Sequence, residues 1–401
     1  MNISWDIYNK CNLNCLHCGA QKQGMEEDIS LKKEEILKIA ENLAQVSSEI
    51  TLLGGEPLIA PYIEEVICYF KEQKIPVAVI TNGQVLNEKI KKVINSVATV
   101  LVSIDGFEED NDYIRGKGTW ENSIKFLEYI QDRGIDCGVT TVITKKNVDN
   151  LEKMIHYLED KKVKKMVFNP LYISGNAKKN REELELTDEE KLKYYCKLAH
   201  LSKSVKASIE INTGSAIIDK YLRIKENYIQ ARPVNRCTAL FGSAFCNMKG
   251  ILLPCRSYGG KGIDLTKTIC WNQDYGIFEK VLDCVIDEKM EVSCLEEIRC
   301  PLKLNKPSNL ENLVKKLLDE DICLEYKVRN DMVFLKRDNH YYILFLRDNE
   351  YVEYTKEGYE IYKWLYKGLN VNKISENMKL DLKVLCCFLD EENLKGRIIQ
   401  K

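Results

Sequence analysis

Cys11, Cys15 and Cys18 stand in the stretch Cys-Asn-Leu-Asn-Cys-Leu-His-Cys, three thiols separated by three and then two residues. Three close thiolates on one short loop can hold three irons of a 4Fe–4S cube and leave the fourth iron without a protein ligand. An open iron is a place for chemistry, as an open coordination position is on any catalytic metal. Cys15-x-x-Cys18 alone would also suit zinc. That alternative needs a fourth ligand, and His17, between two candidate ligands, is badly placed to be one. The spacing favours iron–sulfur over zinc.

The bulk of the chain narrows the setting. Lys plus Arg total 59 against 61 Asp plus Glu over 401 residues, so no basic excess points to nucleic acid. Apolar residues make up 45% of the chain and no run of 18 exists, so no membrane partner is expected. The first residues, Met1-Asn2-Ile3-Ser4-Trp5-Asp6, lack the basic and apolar regions of a signal peptide, and a cytoplasmic location is expected. Sixteen cysteines in a reducing compartment point to metal–sulfur centres rather than disulfides. Cys68, Cys137 and Cys196 fall on apolar faces and are expected to pack as core residues.

The elements that must position the thiols follow a βα rhythm over residues 1–205. Alternation and β-branched runs predict strands at Ile3–Tyr8, Glu49–Leu53, Val77–Ile80, Thr99–Ile104, Gly138–Thr144 and Lys165–Leu171. Helical spacing predicts Lys32–Ala44, Tyr62–Gln73, Glu88–Ile94, Trp120–Asp132 and Val148–Asp160. The unusual residues gather where strands end: the cysteines, Gly54-Gly55-Glu56-Pro57, Thr81-Asn82-Gly83 and Ser103-Ile104-Asp105-Gly106. In a parallel α/β barrel those loops share one face, so four motifs converge around the thiols.

Residues 206–310 hold Cys237, Cys246, Cys255, Cys270, Cys284, Cys294 and Cys300 with little periodicity, the mark of a segment that leans on metal for stability. Residues 311–401 read as a separate winged-helix-like α+β domain, entered through an amphipathic helix over Asn309–Leu318. Its strands are expected at Met332–Leu335, Tyr341–Phe345 and Tyr351–Tyr354, joined by Asp-Asn turns. Helices are expected at Lys356–Tyr366, Val371–Met378 and Leu382–Glu391.

In the order of its motifs the chain resembles the radical S-adenosylmethionine (SAM) enzymes. The resemblance covers residues 1–205 and implies a partial (β/α)6 TIM-like barrel with a 4Fe–4S cluster on Cys11, Cys15 and Cys18. It implies that SAM chelates the open iron and that Gly54, Gly55, Glu56, Pro57, Asn82, Ser103, Asp105 and Arg115 form its site. Gly54 and Gly55 let backbone approach the methionine amine, or simply make a tight turn. Glu56 accepts from that amine, or caps the next helix. Ser103 and Asp105 hold the ribose hydroxyls, or form a turn. Arg115 pairs with the carboxylate, or forms a surface ion pair. One-electron cleavage of SAM then leaves a 5′-deoxyadenosyl radical that abstracts hydrogen, the protein supplying placement and exclusion of solvent.

Residues 206–310 resemble the auxiliary-cluster extension of these enzymes, SPASM in its complete form and Twitch when shortened. Cys237, Gly250 and Cys255 match its opening, whereas the second half keeps only the five-residue gap between Cys294 and Cys300. One auxiliary 4Fe–4S cluster on Cys237, Cys255, Cys294 and Cys300 is implied. Cys246, Cys270 and Cys284 are substitute ligands, hydrogen-atom donors or incidental core cysteines. Residues 311–401 resemble the small leader-peptide-binding domain of pyrroloquinoline quinone biosynthesis, with dimerisation or plain stabilisation as the alternatives.

These resemblances imply a maturase that installs a thioether or carbon–carbon cross-link in a ribosomal precursor peptide bound through its leader. Flavodoxin or ferredoxin would serve as electron donor. A peptide epimerase with a cysteine hydrogen donor, a sulfatase-maturase-like side-chain oxidase and a small-molecule oxidase are the enzymic alternatives. An iron–sulfur sensor with a DNA-binding tail is the non-enzymic one, which the near-neutral charge disfavours.

Overall fold

Buried Ile, Val and Leu at alternate positions build six parallel strands in chain order: β1 (Asn2–Tyr8), β2 (Glu49–Gly54), β3 (Val77–Thr81), β4 (Thr99–Ser103), β5 (Asp136–Ile143) and β6 (Lys165–Pro170). A seventh, β7 (Ser208–Ile211), pairs parallel to β6, and β8 (Ser243–Cys246) pairs parallel to the opposite side of β1. Two short antiparallel strands, β9 (Ile251–Leu253) and β10 (Ile263–Asp264), extend that side. The result is an open, TIM-barrel-like α/β sheet of ten strands. This computed structural model describes residues 1–19, 31–213, 216–228, 243–253, 256, 262–267, 269, 326–328, 332–337, 340–345, 350–367, 369, 371–379, 385, 388–389 and 398–400.

Helices follow the strands as the apolar spacing predicts: α1 (Lys33–Ala44), α2 (Ile63–Glu72) and α3 (Glu88–Val93), then α4 (Glu108–Arg115), α5 (Thr119–Gln131) and α6 (Leu151–Asp160). Helix α4 forms where the sequence suggested only a loop. It is eight residues long and mostly polar, so no apolar stripe announces it, but Glu108, Glu109 and Asp110 suit the positive end of its dipole. After β6 come α7 (Gly175–Lys179), α8 (Arg181–Leu184), α9 (Asp188–Leu201) and, past β7, α10 (Ala216–Glu226). Residues 206–310 thus carry more regular structure than their composition suggested.

Cys68 corrects a sequence expectation. Helix α2 turns Ile63, Val66, Ile67 and Phe70 to the core, so Cys68 lies on the exposed side. Cys137 is buried in β5 and Cys196 half-buried on α9.

The chain divides into two compact units, Met1–Ala231 with Cys237–Leu310, and Arg232–Arg236 with Glu311–Lys401. The second unit holds the antiparallel sheet β12 (Met332–Arg337), β13 (His340–Phe345) and β14 (Glu350–Tyr354), and the helices α11 (Lys356–Tyr366) and α12 (Val371–Met378). A separate pair joins β11 (Tyr326–Val328) to β15 (Ile398–Gln400). Thr355 caps α11 by accepting from Gly358 N at 3.2 Å. Ile343, Tyr362, Ile374, Leu385 and Leu389 form the centre of this unit's apolar core. The expected helix Asn309–Leu318 lies outside the described residues, and of Leu382–Glu391 only Leu385, Phe388 and Leu389 are described, all helical.

Candidate active site

The cysteine loop leaves β1 and is gripped at once by the glycine pair that ends β2. Gly55 N donates to Tyr8 O at 2.8 Å and Glu56 N to Lys10 O at 2.9 Å. A Cβ on Gly55 would stand 2.1 Å from Lys10 O, and one on Gly54, at φ +133°, 2.5 Å from Tyr8 O. The missing side chains make room for the backbone that carries Cys11, so these two glycines serve close chain packing.

Glu56 is buried and both its oxygens are taken. Oε1 accepts from Leu58 N (3.0 Å) and Thr81 Oγ1 (2.7 Å), and Oε2 from Asn82 N (2.8 Å). Burial pushes its carboxyl up, opposed by these donors. Of the two roles the sequence left open, this geometry matches the cap: Glu56 caps the short turn Pro57–Ile59 and staples it to the end of β3. Asn82, also buried, directs Nδ2 to Asn12 Oδ1 at 2.8 Å and to Cys11 Sγ at 3.7 Å.

On the other side of the loop, His17 Nε2 lies 2.5 Å and Arg115 Nε 2.7 Å from Asp105 Oδ2. Asp105 Oδ1 accepts from Val142 N at 2.8 Å. Burial works against the charge on Asp105, but Arg115 and His17 overcome it and hold the carboxyl well below its usual range. Asp105 is therefore an interior anchor between the cysteine loop, α4 and β5. His17 reaches that anchor through Nε2. Ser103 stands half-buried at the end of β4.

The carboxamides around this anchor were not singled out from the sequence. Asn111 accepts from Asp105 N at 2.9 Å, and Asn147 Nδ2 donates to Asp105 O at 2.7 Å. Asn176 N donates to Cys18 O (2.9 Å), Asn176 Nδ2 to Cys15 O (3.1 Å) and Asn180 Nδ2 to Leu16 O (3.1 Å). An irregular loop has no helix or strand partner for its carbonyls, so side chains must satisfy them. The available signal was the cluster of Asn after β6, with no period to mark it.

The three thiols differ in burial and surroundings. Cys15 is buried and Cys11 and Cys18 are half-buried. Burial lifts the Cys15 thiol to about 12; Arg115 opposes the rise, and Asp105, Cys18 and Cys11 add to it. Burial raises Cys11 as well, against the N–H of Leu13. Arg115 Nε is close to Asp105 but off the hydrogen-bond axis, a buried donor without an aligned acceptor beside the thiols. Among the described residues no three Cys, His, Asp or Glu side chains close on one ion-sized point. A cube asks for something else, since each thiolate takes a different iron.

Residues 5–158 match the Radical SAM superfamily. This part of the chain is a Radical SAM domain. Such a domain takes a 4Fe–4S cluster and SAM, and the three cysteines, the buried guanidinium and the polar cradle fit that group. The chain is 31% identical over 191 residues to Fe-coproporphyrin III synthase of Methanosarcina barkeri, covering 46% of this chain and 48% of that one. It is 28% identical over 156 residues to mycofactocin maturase MftC of Mycolicibacterium smegmatis, 38% of this chain and 40% of that one. Over these matches the chain spans about half the length of its curated relatives or less. In fold it is similar to Streptococcus suis SuiB bound to SAM, with TM-score 0.58 at 16% identity over 77% of this chain and 75% of that one. It is likewise similar to native anSMEcpe with bound AdoMet, with TM-score 0.57 at 14% identity over 79% and 94%.

Outside the Radical SAM domain, Cys246 is fully buried at the end of β8, and burial pushes its thiol well up. Its side chain packs in the core among the described residues. Cys237, Cys255, Cys270, Cys284, Cys294 and Cys300 lie outside the described residues. Arg256, next to Cys255 in sequence, donates through Nη2 to both oxygens of the buried Asp6 on β1, at 2.5 and 2.6 Å.

Proposed function

We propose that the chain is a peptide maturase that installs a thioether or carbon–carbon cross-link in a ribosomally made precursor. The observation that carries this reading is the second unit, a β12–β13–β14 sheet backed by α11. Its outer strands β12 and β14 each pair on one side among the described residues. An extended leader can add to such an edge through main-chain hydrogen bonds. MftC is named a maturase, and SuiB, similar in fold at TM-score 0.53, has been solved with its precursor peptide SuiA.

When bound, the cluster and SAM supply hydrogen-atom abstraction from the substrate. The chain's part is placement. Cys11, Cys15 and Cys18 hold the cluster, Arg115 offsets its negative charge, and Glu56 and Asp105 fix the loops on either side. Cys237, Cys255, Cys294 and Cys300 would hold an auxiliary 4Fe–4S cluster, which would supply an acceptor for the electron that a cross-link releases, and Arg256, next to Cys255 in sequence, is tied to β1 through Asp6. A flavodoxin or ferredoxin in the cytoplasm supplies the reducing electron.

Mass spectrometry of a short peptide encoded beside the gene, co-expressed anaerobically, tests the reading. Loss of two hydrogens supports a cross-link, whereas deuterium uptake from deuterated water without net oxidation indicates an epimerase. A second reading, oxidation of a small molecule, draws on the identity to Fe-coproporphyrin III synthase. An unchanged peptide together with intact SAM cleavage selects it, as does turnover that survives deletion of residues 311–401.

A further inference from the structure

We propose that Asn82 sets the reduction potential of the cluster held by Cys11, Cys15 and Cys18, through an N–H···S hydrogen bond to Cys11. Its Nδ2 stands 3.7 Å from Cys11 Sγ and 2.8 Å from Asn12 Oδ1, and one amide nitrogen carries a proton for each. The orientation of the amide follows from its other side, where Oδ1 accepts from Gln84 N at 3.0 Å and could not be exchanged for a donor. Leu13 N, 3.4 Å from the same sulfur, adds a second donor.

Asn82 is held in this pose independently of any bound group. Its backbone N–H is fixed by Glu56 Oε2 at 2.8 Å, and its carbonyl accepts from Gln84 Nε2 at 3.0 Å and Ser123 Oγ at 2.8 Å. Gln84 is pinned in turn, its two amide protons shared among Asn82 O, Thr119 O and Ser123 Oγ, the last two each at 2.9 Å. The three thiols are therefore unequal. Cys11 receives N–H donors, whereas Cys15 is buried against the charge of Arg115. A reduced cluster carries one more negative charge than an oxidised one, shared in part by its sulfurs. Donors aimed at a sulfur stabilise the reduced form more, and removing one makes reduction harder. Asn82 is thus a positioning residue that acts through Cys11.

The test is an EPR-monitored redox titration of the reconstituted full chain without substrate, on wild type, Asn82→Ala and Asn82→Asp, with iron and sulfide counted for each. Neither peptide nor turnover is needed, so the outcome is separate from that of the maturase reading. The expected result is full cluster content with midpoint potentials falling from wild type to Ala to Asp. Asp keeps the shape and the acceptor for Gln84 N but faces the sulfur with a carboxylate. A purely structural role would leave Asp closer to wild type than Ala. That order, equal potentials in all three proteins, or loss of the cluster from both variants would overturn the proposal.

Discussion

The cysteine loop and the core of the second unit are held by opposite means. Residues 11–19 are irregular, and their carbonyls and N–H groups are met one by one by Asn176, Asn180, Ile114 O and the backbone of α7. In the second unit Tyr359, Tyr362, Phe334, Tyr354 and Phe388 stack edge to face or at a tilt around Ile343 and Ile374. Apolar packing is non-directional and spreads a loss over many neighbours. Polar cradles are directional, so one substitution removes a particular bond at a particular atom. The difference teaches that the domain spends its directional contacts where a metal cluster must be placed to a fraction of an ångström.

The sharpest way to break the comparison is at the loop. Cys11→Ala should abolish SAM cleavage in an anaerobic assay with chemical reductant, and cleavage near the wild-type rate would refute the cluster assignment. Asp105→Asn should come next, because it removes one partner of a buried ion pair and leaves Arg115 uncompensated. A loss of about 3–5 kcal/mol is expected in urea unfolding of the Radical SAM domain's signal. The pH dependence has a definite sign. Asp105 has a folded value below its ordinary 3.8, so its stabilisation is present above that value and is lost as pH falls towards the folded one. The gap between wild type and variant should be level from pH 7 to about 5.5 and narrow below about 4. A gap that widens on acidification would show that Asp105 is not held ionised.

The two regions were also unequally legible in the sequence. The strands and most helices of the barrel announce themselves by period, as at Val77–Thr81, and the thiols by spacing. The glycine-glycine-glutamate turn was visible as a motif, but its work was not. Whether Glu56 meets an amine or caps a turn depends on Thr81 and Asn82, which only the fold brings to it. The same holds for His17, read as a poor zinc ligand without a hint of Asp105, 88 residues away. Helix α4 was missed because short polar helices rest on capping and tertiary contacts that leave no stripe. β8 was missed because four residues show too little alternation to read.

Two smaller effects test whether the apolar half of the comparison is as diffuse as argued. Ile374→Ala, at a fully buried position, should destabilise the second unit by about 2–5 kcal/mol while SAM cleavage by the barrel stays near wild type. A parallel loss of cleavage would mean that the two units depend on each other for stability. Cys68→Ser should be the mildest, because the thiol lies on the solvent side of α2 while Ile67 and Phe70 carry the packing. A change within about 0.5 kcal/mol is expected, with iron and sulfide content unaltered. A larger loss would place Cys68 against a surface that α2 covers, and would return it to the role its apolar neighbours first suggested.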